Sequence, residues 1–285
     1  MSETIVASVD WLEAHRENPS VRLLDVRDAW EFDGIGHLPG AVNLPFDAFR
    51  DRESDDPGTL PGQSVIESLL GSAGIEPADT VVVYDDTYGV FAARVLVTLR
   101  LYGHDDVRLL ETDYSGWARE HETSQEPTAF EETAYEAWPL DLDLDKNRER
   151  EHDRDRERET SPLVETEMIE AVLEEPDSDE HVLVDTRERE EFETGHLPGA
   201  VRFDWRSTVD EDRRRLKSRD DLEDLFADYG VTPDRRVILY CNTARRISHT
   251  YVVLRWLGFE RVGFYEGSLT EWEARDGVIE RGASG

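Results

Sequence analysis

One thiol occurs in the 285 residues, Cys241, and its setting is that of a nucleophile. The apolar run Val237-Ile238-Leu239-Tyr240 precedes it. The polar, cationic stretch Asn242-Thr243-Ala244-Arg245-Arg246 follows, and then the apolar-periodic segment Ile247 to Leu257. This order reads as strand, tight loop and helix, with the thiol at the first loop position. Backbone N–H groups of such a loop, and the positive end of the helix dipole, favour an anion there. Cationic side chains in the same loop add to that field, and the thiolate is the nucleophilic form of cysteine. A lone cysteine is otherwise a small buried hydrophobe; it is the loop that argues for chemistry.

Composition narrows the surroundings in which that chemistry runs. The formal net charge is -34, and Lys146 and Lys217 are the only lysines among 32 cations. Self-repulsion on this scale opposes compaction in dilute salt. At about 1 M salt the screening length falls to roughly 3 Å and the repulsion largely vanishes. The composition resembles that of cytoplasmic proteins of extreme halophiles, and a halophilic archaeal source is expected. The charge argues against nucleic acid and anionic membranes as partners. There is no apolar leader at the first residues and no run long enough to span a bilayer, so a cytoplasmic location is expected. One cysteine excludes an internal disulfide, no zinc-ligand spacing occurs, and no cofactor is expected.

The elements that must hold the loop occur twice. Leu23-Leu24-Asp25-Val26-Arg27, Trp30-Glu31-Phe32 and His37-Leu38-Pro39-Gly40-Ala41-Val42 are answered by Leu183-Val184-Asp185-Thr186-Arg187, Glu190-Glu191-Phe192 and His196-Leu197-Pro198-Gly199-Ala200-Val201. Val81 to Tyr84 answers Val237 to Tyr240, Leu99 to Gly103 answers Leu254 to Gly258, and Trp117 answers Trp272. Each copy alternates short apolar strands with helical patterns, which predicts an α/β fold with a mainly parallel sheet flanked by helices. Strands are expected at 21–26, 80–85, 181–185 and 236–241, and helices at 8–16, 64–72, 166–173 and 219–229. Gly74 and Gly230 stand where left-handed helix caps belong. The expected boundaries are 1–122, a connection at 123–161, and 162–285. Within the connection, 146–159 has no apolar residue and reads as a solvated linker. The stretch before it carries Phe130, Tyr135 and Trp138 and is expected to pack across both units.

Phe192 with His196-Leu197-Pro198-Gly199-Ala200 resembles the amino-terminal signature of rhodanese domains. Val262 to Trp272, with Tyr265-Glu266-Gly267-Ser268 and Glu271-Trp272, resembles their carboxy-terminal signature, except that Leu269 replaces an aromatic. The whole chain apart from the linker is similar to tandem rhodanese-like sulfurtransferases, in which the second domain is catalytic and the first degenerate. Asp85 stands where the first copy would carry the cysteine, followed by Asp86-Thr87-Tyr88-Gly89-Val90. A carboxylate forms no persulfide, so a structural first domain is implied, one that covers a wall of the site.

The resemblance implies that Cys241 accepts sulfur from thiosulfate or 3-mercaptopyruvate and passes it to a thiophilic acceptor such as cyanide, or to a partner protein. Asn242, Thr243, Ala244, Arg245 and Arg246 would bind the persulfide and the donor, with Arg246 the leading arginine. Ala244 stands where many relatives have glycine, which puts the loop geometry in question. Many relatives place a donor-binding arginine at the position of Glu191; Arg187 and Arg189 are the nearby replacements, and Arg187 reads equally as scaffold with Asp185 and His196. His249 reads as packing or solvent-facing. The cluster Arg213 to Lys217 either attracts donors or neutralises acids. Related phosphatases have five residues between Cys and Arg; here there are four, which favours sulfur over phosphate.

Overall fold

The computed structural model describes residues 5–51, 60–128, 130–139, 162–175, 178–242 and 244–282. The charged run 146–159 and Thr243 lie outside them. Each repeat builds one parallel five-stranded sheet. The first has the order β1 (Val6–Ala7), β5 (Val107–Leu110), β4 (Thr80–Tyr84), β2 (Val21–Asp25), β3 (Ala41–Asn43). The second has β6 (Leu163–Val164), β12 (Val262–Tyr265), β11 (Arg236–Tyr240), β7 (His181–Asp185), β8 (Val201–Arg202), while β9 (Val209–Asp210) and β10 (Arg215–Leu216) form a separate antiparallel pair. The same order in both confirms the duplication. Helices cover both faces, which is why the central strands are apolar at every position instead of alternating. Val81, Val82, Val83, Val237, Ile238 and Leu239 are all fully buried.

The expected helices form: α1 (Val9–His15), α3 (Gln63–Ser72), α6 (Thr166–Glu174) and α8 (Arg219–Asp228). Between them lie α2 (Ala29–Gly34), α4 (Val90–Leu101), α5 (Tyr114–Trp117) and α7 (Arg189–Thr194). α9 (Arg245–Leu257) and α10 (Ser268–Ala274) complete the chain. Gly74 and Gly230 adopt φ of +65° and +69°, the left-handed conformation expected of them.

The repeated His-Leu-Pro-Gly-Ala motif has a mechanical role. The His196 ring stacks on Phe192 at 3.7 Å, and the Leu197 N–H donates to the Tyr240 hydroxyl at 3.0 Å. His37 on Phe32 and Leu38 on Tyr84 repeat this at 3.8 Å and 3.1 Å. In the second copy the motif pins the segment after α7 to the end of β11, the strand that delivers Cys241.

The two units pack through α4 and α9. Both helices are buried nearly all round, and one apolar cluster containing Val95, Leu99, Val252 and Val253 runs through both units. Polar links flank it: Arg94 pairs with both carboxylate oxygens of Glu266 at 3.0 and 2.5 Å. The segment before the linker packs on the first unit. Phe130 fills the space at Gly74, Trp138 lies against Gly103, and the Tyr135 hydroxyl meets His104 at 2.9 Å. Glycine is required at 74 and 103 because a Cβ there would collide with those rings. These contacts of the segment are with the first unit.

Candidate active site

Cys241 follows β11 directly, and α9 starts four residues later. The residue is only 1% exposed and packs within the apolar cluster shared by the units. Burial alone would fit an inert cysteine. Its polar surroundings do not. The Cys241 N–H donates to the Ser268 hydroxyl at 3.2 Å, and that hydroxyl donates to the Tyr265 carbonyl at 2.8 Å. The Leu269 N–H donates to the Cys241 carbonyl at 3.2 Å. The backbone on either side of the thiol is thus tied to the start of α10.

Ala244 takes φ +59°, in the left-handed region, and caps α9 while fully buried. The first unit has Gly89 at this cap, φ +85°. The loop geometry is therefore the glycine geometry, adopted by alanine at a cost of about 1 kcal/mol. Ser268, at φ +50°, is a second left-handed non-glycine residue beside the thiol.

The first unit shows what such a loop is built to hold. Its loop, one residue longer, folds around the Asp85 carboxylate. One oxygen accepts N–H bonds from Thr87 and Gly89 at 2.7 and 2.8 Å. The other accepts from Phe91 and Ala92 at 2.8 and 3.0 Å. Burial pushes this carboxyl up to about 6, with Asp113 adding to the rise and the N–H donors opposing it. The carboxylate oxygens lie two bonds beyond Cβ. On a cysteine that position belongs to the outer sulfur of a persulfide.

The two loop arginines part company. Arg246 donates to one oxygen of Glu191 at 2.5 Å, and the Asn242 amide donates to the other at 3.0 Å. Arg245 instead lies over the ring of Phe91 from the first unit, 5.3 Å from its centroid. Burial lowers the Arg245 guanidinium below its ordinary value. The attraction of Cys241 opposes this, repulsion from Arg246 and Arg50 adds to it, and Asp47 opposes it. Arg245 is thus the arginine whose charge acts on Cys241, whereas Arg246 is engaged by Glu191. Arg50 and Asp47 face it from the first unit.

Arg187 is held in the scaffold. It grips both oxygens of Asp185, and donates to the Gly195 carbonyl at 2.6 Å. Among the described residues it reaches the loop at the Asn242 side-chain oxygen, 3.4 Å away. Arg189 is exposed and pairs with Glu193. His249 is packed, not solvent-facing: fully buried, it donates through Nε2 to the Tyr88 carbonyl at 3.1 Å and meets the Trp205 ring edge-on. Arg214 of the basic cluster neutralises acids. It reaches into the first unit and binds Asp113 at 2.6 Å and Asp86 at 3.0 Å. Ser268, Phe91, Arg50 and Asp47 were not singled out as site residues from sequence. Ser268 lies in the Tyr265-Glu266-Gly267-Ser268 signature, whereas nothing local marks the other three. No helix among the described residues is long and apolar enough to cross a membrane.

Comparison with known proteins agrees with this architecture. The rhodanese-like domain matches residues 8–120 and 168–275. A Haloferax volcanii protein bearing a thiosulfate sulfurtransferase name is 32% identical over 99% of this chain and 98% of its own. The thiosulfate sulfurtransferase of Pseudomonas aeruginosa is 31% identical over 89% of this chain and 88% of its own. The sulfur carrier protein TtuD of Thermus thermophilus is 27% identical over 96% and 95%. Among solved structures, the 3-mercaptopyruvate sulfotransferase SseA of Escherichia coli superposes with a TM-score of 0.73 and 23% identity, covering 93% of this chain and 98% of that one. With both repeats matched and a full-length relative above 30% identity, the chain belongs to the rhodanese family, as a tandem of two rhodanese-like domains.

Proposed function

We propose that Cys241 carries a sulfane sulfur as a persulfide, taking it from thiosulfate and passing it to a thiophilic acceptor such as cyanide. The observation that carries this reading is the Asp85 carboxylate, whose two oxygens are held by four N–H groups in the sister loop. The loop from Asn242 to Arg246 offers the same kind of cradle to a group attached to Cys241. Thr243, outside the described residues, is assigned to it only as the sequence expects.

In the first step the Cys241 thiolate attacks the outer sulfur of thiosulfate. The new S–S bond forms as the bond to the sulfonate sulfur breaks, and sulfite departs with that electron pair. The persulfide is itself an anion and settles among the loop N–H groups. In the second step cyanide attacks the outer sulfur, thiocyanate leaves, and the thiolate returns. Arg245 binds the anionic end of the donor, and Arg187 orients Asn242. With 3-mercaptopyruvate as donor, the C–S bond breaks and pyruvate leaves after its enolate takes a proton. The names of the Haloferax and Pseudomonas relatives favour thiosulfate. The acidic composition favours a cytoplasm of high salt as the working medium.

Intact mass after thiosulfate treatment tests the chemistry: a gain of one sulfur atom, reversed by cyanide and absent in Cys241→Ser, is expected. No gain refutes it. The TtuD relative favours a second reading, in which the persulfide is handed to a partner protein. Thiocyanate turnover at high salt no faster than that of Cys241→Ser, despite sulfur uptake, selects that reading.

A further inference from the structure

Glu191 occupies an unusual place for a carboxylate, at the mouth of a loop that receives anions. It is held there from three sides. Arg246 Nη1 donates to Oε2 at 2.5 Å and Asn242 Nδ2 donates to Oε1 at 3.0 Å. Glu191 is also the N3 residue of the α7 capping box, where its Oε2 accepts the Glu188 N–H at 3.4 Å. Asn242 is tied in turn to Arg187, which is locked on Asp185. The pair is neither sealed nor free: the Arg246 and Glu191 side chains are 30% and 29% exposed. A guanidinium in this position already carries one carboxylate, and an incoming anion must displace it to use the same donors.

Such a displacement is an ion exchange. One anion leaves the guanidinium as another arrives, so the number of ion pairs is the same before and after. Salt screens both sides alike. An unmasked arginine would instead lose donor affinity steadily as ionic strength rises. Because Glu191 stays beside the site, it also opposes an incoming anion in proportion to that anion's charge.

Resting on the sulfurtransferase reading above, we propose that Glu191 is a specificity-determining counter-ion of Arg246. It is displaced by anionic sulfur donors such as thiosulfate, weakens their binding in proportion to their charge, and keeps donor affinity insensitive to salt. The substitution Glu191→Gln tests it, since glutamine preserves the N3 cap. In thiosulfate:cyanide kinetics, KM for thiosulfate should fall about two- to fivefold at low salt, the range of an exposed ion pair. kcat should change much less. KM of the variant should then climb between about 0.1 M and 1 M KCl, where that of the wild type stays nearly level. Alkylation of Cys241 supplies a readout that needs no turnover. The ratio of the iodoacetate rate to the iodoacetamide rate should rise about two- to fivefold in the variant. A KM that stays level or rises, or an unchanged alkylation ratio, overturns the proposal. If wild-type Cys241 takes no sulfur from thiosulfate, the sulfurtransferase reading fails, and the alkylation ratio alone decides the counter-ion role.

Discussion

The ring of Phe91, from the first unit, lies 5.3 Å beneath the guanidinium carbon of Arg245 in the second. The same Phe91 donates its N–H to Asp85, and its ring packs on Phe46 at 4.9 Å. The buried carboxylate of one loop thereby fixes a platform for the arginine of the other. The first unit thus places an aromatic ring against the loop that carries Cys241.

Replacing Phe91 with Leu removes the π face while keeping apolar volume. A cation–π contact of about 0.5–2 kcal/mol is lost. KM for thiosulfate should rise about three- to tenfold with kcat less affected, measured by steady-state kinetics at high salt. An unchanged KM would show that Arg245 does not meet the donor.

Ala244→Gly should stabilise the protein. The left-handed φ of +59° strains alanine by about 1–2 kcal/mol, and the extra unfolded-state freedom of glycine returns part of this. A net gain of up to about 1 kcal/mol should appear as a higher urea midpoint at unchanged slope. A lower midpoint would mean that the alanine methyl contributes more packing than its backbone costs.

Asp85 and His249 should impose opposite pH slopes on stability. The Asp85 carboxyl titrates near 6 when folded against an ordinary 3.8, so the native state binds its proton more readily. Its contribution to stability declines as pH rises from about 4 to 6. Burial lowers His249 from 6.5 to about 4, partly opposed by its bond to the Tyr88 carbonyl. The stability it contributes is present above about 6.5 and is lost as pH falls toward 4. Each effect is at most about 3 kcal/mol, and between pH 4 and 6 they largely cancel. Urea titrations at pH 4.5 and 7 should therefore diverge in opposite directions for Asp85→Asn and His249→Gln relative to wild type. Parallel pH profiles for all three proteins would contradict the assignment.

The Arg94–Glu266 pair should hold the units together. Arg94 is 5% exposed, and Glu266 directly precedes the Gly267-Ser268 turn that secures the Cys241 N–H. Arg94→Met should cost about 2–3 kcal/mol by leaving Glu266 uncompensated. Adding Glu266→Gln should recover part of the loss, a coupling visible in a double-mutant cycle of urea midpoints.

A net charge of -34 makes folding salt-dependent. The thermal midpoint should rise by at least about 5 °C, roughly 2 kcal/mol, between about 0.1 M and 1 M KCl. A flat profile would remove the physical ground for placing this protein at high salt.

Much was legible in the linear order of residues because it is local. Two apolar strand patterns with matching spacing define two parallel sheets, and a thiol between Tyr240 and the Arg245–Leu257 helix can only stand at a strand-to-helix loop. The Phe-His stack and the Leu-to-Tyr hydroxyl bond follow from residues that recur in both copies. What sequence could not decide is which side chains face one another across the units. Arg245 and Arg246 are chemically identical neighbours; their roles separate only because Glu191 stands beside one and Phe91 beneath the other. Arg214 and His249 likewise found partners in the first unit, at Asp113 and Tyr88. Such pairings depend on how α4 and α9 dock, a long-range packing outcome with no periodic signature in the chain.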